Sequence, residues 1–169
     1  MLSPGEIGVM LKSQKTADQW FDEYAVCHQN HVNKIFHWIC IPLIMLSLLG
    51  LIWVIPVPVA ISRQVPPFNW AWLILITSLI FYFRISIALS LGMLFVFSVM
   101  VGIIIFYEQA NLTSLATASL IIFVAAWIGQ FVGHKIEGRK PAFFDDLKFL
   151  LIGPLWLLGF IYRRFGLRY

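Results

Sequence analysis

The stretch IFHWICIPLIMLSLLGLIWVI, residues 35–55, decides the class of this protein. It is almost entirely apolar and has the length, about 20 residues, that an α-helix needs to cross a hydrocarbon core of roughly 30 Å. Pro42 interrupts the run, but a membrane helix tolerates a proline where neighbouring groups satisfy the freed carbonyl. The stretch therefore predicts an all-α integral membrane protein whose first span lies here.

The composition of the whole chain favours the same class. Of its 169 residues, 60% are hydrophobic and 12% are charged, whereas a soluble domain carries about 25% charged residues. The length fits a single membrane domain, residues 1–169. The formal net charge is +4, but the basic residues cluster at the ends of the apolar runs. That placement is typical of contact with the headgroups of a lipid bilayer and does not indicate a nucleic-acid partner.

Further apolar runs complete the expected architecture. Residues 69–83, 85–107 and 115–133 predict three more spans, so we expect four transmembrane helices. Residues 16–28 combine helical spacing of apolar side chains with acidic residues on the other side, and predict an amphipathic helix in the membrane interface. Residues 147–161 are apolar but short for a span, and predict a re-entrant or fifth helix.

The basic residues also orient the bundle. They precede the first span, separate the second from the third, and follow the fourth: Lys12, Lys15, Lys34, Arg84, Lys135, Arg139, Lys140 and Lys148. Because lysine and arginine favour the cytoplasmic side, we expect the N-terminus in the cytoplasm and the chain returning there after four spans. The compact length and the lack of a retention or transit signal favour a bacterial inner membrane over the endoplasmic reticulum.

All four histidines fall at membrane boundaries, on the face that this topology makes cytoplasmic. His28, His31 and His37 lie just before and just inside the first span, and His134 follows the fourth. Imidazole is a common metal ligand, so four imidazoles at one depth of a membrane bundle predict a metal site. The competing interpretation is that interfacial histidines only hydrogen-bond headgroups or backbone carbonyls.

The end of the fourth span adds to the expected site. Gln130, His134 and Glu137 are spaced i, i+4 and i+7, which places them on one helical face. Gly133 would allow another backbone to approach closely. Several imidazoles with a carboxylate suit divalent iron, zinc or manganese, and two histidines with one carboxylate and open positions are typical of non-haem iron oxygenases.

Two blocks, YAVCHQNHVNKIFHWICIP and WIGQFVGHKIEGRKPA, resemble the signatures of the 2-hydroxy fatty acid dioxygenase family. That family includes a fungal endoplasmic-reticulum enzyme of phytosphingosine breakdown and short bacterial members. The matching positions are Tyr24, His28, Asn33, His37, Pro42, Gln130, Phe131, Gly133, His134, Glu137, Pro141 and Ala142. The resemblance implies an Fe(II)-dependent oxidoreductase of lipid metabolism that uses O2 for fatty acid alpha-oxidation. It would shorten a 2-hydroxy fatty acid by one carbon.

The resemblance also implies which residues do the work. The implied iron ligands are the histidines of the two blocks, with His28, His37 and His134 as catalytic ligands. His31 and Glu137 are expected to supply a fourth ligand or to support the others, and Glu137 is counted with the catalytic residues. The residues expected to bind substrate are Asn33, Gln130, Arg139 and Lys140. The acyl tail is expected between the spans, near Trp38, Met45 and the fourth span.

Two functions from other classes remain open. The first is a non-catalytic membrane scaffold or small transporter, although no charged residue lies inside a span except Arg84 at a boundary. No inverted repeat is evident either. The second is a zinc-dependent lipid hydrolase, which is weakened by the absence of an evident second carboxylate. Assembly into a homo-oligomer is compatible with every one of these functions.

Overall fold

A computed structural model describes residues 15–65, 68–144 and 147–169. Within these ranges the chain forms helices and no strand, so the all-α class is confirmed there. Seven α-helices follow one another in these ranges: α1 (Ala17–Ala25), α2 (His31–Trp53), α3 (Val59–Ser62), α4 (Trp70–Ile85), α5 (Ile87–Ala110), α6 (Leu115–Glu137) and α7 (Phe149–Arg164). A 3-10 turn, Ala142–Phe144, precedes α7.

Three of the described helices are long and apolar enough to cross a membrane: α2, α5 and α6. Helix α4 is also apolar but has only 16 residues, below the roughly 20 residues of a usual span. It meets α5 at Ser86, whose hydroxyl caps α5 by accepting from the Leu89 N–H. Length and composition therefore support three of the four expected spans. Lys12, used above for orientation, lies outside the described residues.

The turn between α1 and α2 comes earlier in the chain than the sequence predicted, because the first helix ends at residue 25 and not at residue 28. Helix α1 begins with a capping box between Thr16 and Gln19 and ends at Ala25. Helix α2 begins at His31, four residues before the first residue of the expected span, because the side chain of Asn30 accepts from the Val32 N–H as its N-cap. The intervening turn, residues 26–30, reverses the chain and carries His28.

Helices α2 and α6 form the most extensive helix pair of the bundle. Gly129 and Gly133 on α6 both face α2, and a Cβ added at Gly133 would lie 2.5 Å from Oδ1 of Asn33. Glycines four residues apart allow membrane helices to approach closely. Near the other end of the pair, a Cβ at Gly50 would overlap the hydroxyl of Ser119. The two helices are therefore in close contact along their length, which brings their histidine-bearing ends together.

Helix α7 lies in the middle of the bundle. Its residues 152–159 are all buried, although the helix has only 16 residues. Two tyrosines hold it: the Tyr82 hydroxyl of α4 donates to the Leu151 carbonyl, and its own Tyr162 hydroxyl donates to the Ala88 carbonyl of α5. A helix that is apolar on all sides has to be buried by other helices or by lipid. Here protein buries most of α7.

Candidate metal centre

Three histidines from three different elements form one group, called here the histidine cluster: His28, His37 and His134. His28 comes from the turn before α2, His37 from the second turn of α2, and His134 from the last turn of α6. Their exposed fractions are 0%, 1% and 5%. One ring nitrogen from each lies within 4.8 Å of the other two. The structure therefore brings together residues more than 90 positions apart in the chain.

Main-chain carbonyls determine which ring nitrogens can bind a metal. Nδ1 of His28 lies 2.5 Å from the Tyr24 carbonyl oxygen, and Nδ1 of His37 lies 2.8 Å from the Asn33 carbonyl oxygen. A carbonyl oxygen only accepts, so each Nδ1 carries the hydrogen and each Nε2 of a neutral ring keeps a bare lone pair. The two Nε2 atoms lie 2.8 Å apart. Two lone pairs facing each other at this distance repel unless a cation lies between or beside them.

A proton is a poor candidate for that cation. Burial, together with the neighbouring His37, lowers the pKa of His28 to about 3, so this ring is uncharged at neutral pH. Within the described part of the chain, Nδ1 of His134 is also buried without a hydrogen-bond partner. Neutral imidazoles with converging free lone pairs are the donor set that divalent iron and zinc prefer. The residues present therefore fit a metal ion.

Glu137 lies beside the cluster, and hydrogen bonds from the turn occupy both of its oxygens. Oε1 accepts from the Gln29 N–H at 2.8 Å, while Oε2 accepts from the Asn30 N–H at 2.8 Å and from Nδ2 of Asn33 at 3.1 Å. We call Glu137 and these three donors the carboxylate clamp. It ties the end of α6 to the turn that carries His28. Among the described residues, the group able to hold a metal contains the three histidines and not Glu137.

The other predicted site residues take different positions. His31 is exposed and does not join the cluster. Arg139 and Lys140 are exposed just after α6. Gln130 is buried one turn before His134. The fourth predicted substrate-binding residue, Asn33, is a member of the clamp.

Sequence reasoning missed the aromatic wall of the cluster. The ring of Tyr24 stacks on that of His28 with centroids 4.0 Å apart, and the Trp156 ring lies 5.5 Å from His28. Both side chains are buried and shield the turn from water. Tyr24 gave a signal, since it belongs to the first sequence block. Trp156 gave none, because nothing in its apolar surroundings distinguishes it from a lipid-facing residue.

A small chamber of about 60 Å³ opens against the cluster. His37, His134 and Gln130 line one part of it, and Trp127 lines another. In the described residues, Oε1 of Gln130 is buried and has no hydrogen-bond partner. A site for one water needs roughly 10–15 Å³, so the chamber has room for a small polar group beside the histidines.

These features define a helical protein with span-length helices and a buried three-histidine centre suited to a metal. The chain belongs to the Mpo1-like family, described as 2-hydroxy-palmitic acid dioxygenase Mpo1-like, because the sequence model of that family matches residues 14–165. No curated protein and no solved structure matches the chain. The resemblance carried by the two sequence blocks is thereby confirmed, and the family name suggests a dioxygenase.

Proposed function

We propose that the protein is an Fe(II)-dependent dioxygenase that shortens 2-hydroxy fatty acids by one carbon. The observation that carries the proposal is the convergence of three buried imidazoles with free lone pairs, in a chain of the 2-hydroxy-palmitic acid dioxygenase family. Three protein ligands leave coordination positions open for other molecules, as catalytic metal sites require. Closed structural sites usually have four protein ligands.

The reaction balances with dioxygen as the only oxidant. A 2-hydroxy acid, RCH(OH)COOH, and O2 give the shorter acid RCOOH, carbon dioxide and water. The bond between the carboxyl carbon and the hydroxyl-bearing carbon breaks, both carbons are oxidised, and dioxygen takes up all the electrons. No separate reductant is therefore needed.

His28, His37 and His134 would hold the iron, which when bound supplies the redox chemistry with dioxygen. The carboxylate clamp fixes the turn that presents His28. Tyr24 and Trp156 keep water away from that ring. The proposed catalytic contribution of Glu137 is thus to position a ligand, not to bind the metal.

Polar groups near the cluster would bind the acid head of the substrate. Gln130 faces the chamber with an amide oxygen that no described residue satisfies. Asn33 donates to Glu137 within the clamp, and its Oδ1 is buried without a hydrogen-bond partner among the described residues. Arg139 and Lys140 are exposed at the same end of α6, where positive charge would attract a carboxylate.

The proposed placement in the membrane follows from the same end of the bundle. The cluster lies where α2 begins and α6 ends, next to the basic residues that follow α6. Because such residues favour the cytoplasm, we propose a cytoplasmic N-terminus and metal centre in a bacterial inner membrane, with α4 as a fourth span. A homo-oligomer stays a prediction.

Anaerobic purification followed by metal analysis and turnover tests the function. We expect about one iron per chain, and an acid one carbon shorter when 2-hydroxypalmitate is supplied with ¹⁸O-labelled O2. The label should enter the product carboxylate. Zinc in place of iron, with no oxidation, would support the hydrolase alternative. Absence of any bound metal would support the scaffold alternative.

A further inference from the structure

We propose that the hydrocarbon tail of the substrate lies in one particular cleft of the bundle, enclosed by α2, α4, α5, α6 and α7. The inference rests on the proposed function, because it takes the acid head of a 2-hydroxy fatty acid to lie at the histidine cluster. The cleft then determines which tails the protein accepts.

Two apolar cavities adjoin the chamber beside the cluster and share lining residues with it. The larger, called here the tail cleft, measures about 410 Å³, and its walls include Leu48, Leu75 and Ser78. The smaller measures about 120 Å³ and lies beside Trp38 and Met93. Either of them offers an apolar path away from the cluster. The two cavities therefore have to be compared by the wall that each shares with the chamber and by their volumes.

The wall shared with the chamber favours the tail cleft. Five residues line both the chamber and the tail cleft, and we call them the neck: Ile44, Met45, Trp127, Leu150 and Pro154. Only three residues, Ile41, Met45 and Pro154, line both the chamber and the smaller cavity. The tail cleft is also more than three times as large. Of these two cavities, the tail cleft is therefore the one that offers a long acyl chain enough room beyond the neck.

The neck contains a polar group that suits the acid head. In the described part of the molecule, Nε1 of Trp127 is buried and donates to no acceptor, although a buried indole N–H usually has a partner. Trp127, Gln130 and His134 are spaced i, i+3 and i+7 and share one face of α6. An oxygen of the substrate head would satisfy the indole, and the 2-hydroxyl would satisfy the Gln130 oxygen. The polar end would then lie between the neck and the histidines, with the tail beyond.

The shape of the tail cleft has to determine which acyl tails it accepts. An acyl chain in a bilayer is already out of water, and lipid is as apolar as the leucines of the cleft. Transfer into the cleft thus gains little from hydrophobicity, and a side chain that blocks the path should exclude long tails. Ser78 is buried on α4 and lines the tail cleft, so enlarging this residue narrows the path without adding charge.

Photo-crosslinking tests the location of the tail without requiring turnover. The probe is a 2-hydroxy fatty acid with a diazirine near the end of its tail, added to the full-length iron-loaded protein in nanodiscs without oxygen. We expect crosslinks at Leu75 or Ser78, which are buried and line the tail cleft. Crosslinks beside Met93 and Leu158, or only on outward faces, would overturn the assignment.

Chain-length profiles test the same assignment through selectivity. Ser78→Phe should lower kcat/KM for long 2-hydroxy acids about tenfold or more relative to short ones. Thr77→Phe is the matched control, because Thr77 is the neighbouring residue on the exposed face of α4. Full iron content would verify that each variant folds, and Ser78→Val gives a smaller obstruction should Ser78→Phe fail this check. Equal profiles for the position-78 and position-77 variants would overturn the inference.

Trp127→Phe tests the donor in the neck. It keeps an aromatic ring but removes the N–H, and should weaken binding of the 2-hydroxy acid probe about tenfold. The sequence predicted that Trp38 lies near the tail, but this side chain lines the smaller cavity and neither the chamber nor the tail cleft, so Trp38→Phe should leave probe binding unchanged. The reverse order of the two effects would contradict the assignment.

The outcomes separate this inference from the function on which it rests. If only the tail assignment fails, the protein oxidises 2-hydroxy acids but the Ser78 variants keep the normal length profile. If the proposed function fails, the unmodified protein oxidises no chain length. The crosslinks still decide in that case, since probe attached away from the tail cleft overturns the assignment.

Discussion

The histidine cluster and the carboxylate clamp lie side by side at one end of α2 and α6, and they differ in how their polar atoms are satisfied. Each oxygen of Glu137 accepts a hydrogen bond from the turn. In the cluster, two Nε2 atoms face each other at 2.8 Å, and among the described residues Nδ1 of His134 has no partner. Both carboxylate oxygens of the clamp are satisfied without a ligand, whereas the ring nitrogens of the cluster are not; in the described residues Oδ1 of Asn33 is also buried without a partner. Unsatisfied polar atoms thus indicate where a ligand belongs.

Removing a cluster histidine should have the largest effect. His134→Ala leaves two ligands, and we expect loss of stoichiometric iron and of measurable turnover. The loss of iron affinity should exceed the about 10–100-fold that residues supporting a ligand contribute. Metal analysis per chain is the measurement, and His31→Ala, which removes an exposed histidine outside the cluster, is the control. Equal iron content in the two variants would remove the distinction between cluster and surface.

Weakening the clamp should have an intermediate effect. Glu137→Gln keeps the shape but removes the charge that accepts three hydrogen bonds. We expect a loss of about 1–3 kcal/mol in unfolding free energy, with iron affinity lowered about 10–100-fold. Iron titration of the metal-free variant measures the second quantity. Complete loss of iron, as in His134→Ala, would instead make Glu137 a ligand.

Separating α2 from α6 should disturb both groups through packing alone. In Gly133→Ala the new Cβ would lie 2.5 Å from Oδ1 of Asn33, a member of the clamp. Overpacking of this kind costs about 1–3 kcal/mol. Gly102→Ala is the control, since a Cβ there meets nothing within 4 Å. Thermal unfolding in detergent compares the two variants, and equal midpoints would show that close approach of these helices is unnecessary.

The smallest effect is expected at an exposed carboxylate of α1. Glu23 pairs with Lys15 at 2.7 Å, and both side chains are nearly half exposed. Glu23→Gln should change the unfolding free energy by about 0–1 kcal/mol and leave iron affinity unchanged. A drop in iron affinity like that of Glu137→Gln would mean that any acidic residue at this end supports the metal.

The sequence identified all three members of the cluster, but it did not separate them from His31. Whether His31 or His37 faces the cluster depends on where α2 begins, because the first residue of the helix determines whether both histidines belong to it. Asn30 starts the helix at His31, and six residues later the helix has turned by about 240° beyond a full turn. His31 and His37 therefore face different directions. Both Asn30 and Asn33 are plausible N-caps, so the sequence alone did not determine where α2 begins.

The burial of α7 also could not be predicted from the sequence, because protein interiors and lipid tails are equally apolar. Hydropathy therefore cannot distinguish residues 152–159, which contact protein, from the exposed apolar residues of α6. The close contact between α2 and α6 was easier to predict from the sequence. Gly129 and Gly133 form a small-residue pair at four-residue spacing, a pattern typical of contacts between membrane helices.

The enclosure of α7 has a practical consequence for mapping the compartments on either side of the bilayer. Cysteines introduced along residues 152–159 would be shielded from impermeant thiol reagents whichever side received them. Leu147 and Arg163, near the two ends of the helix, are exposed and can report instead. Reaction of both from one compartment would make α7 re-entrant, and reaction from opposite compartments would make it a fifth crossing.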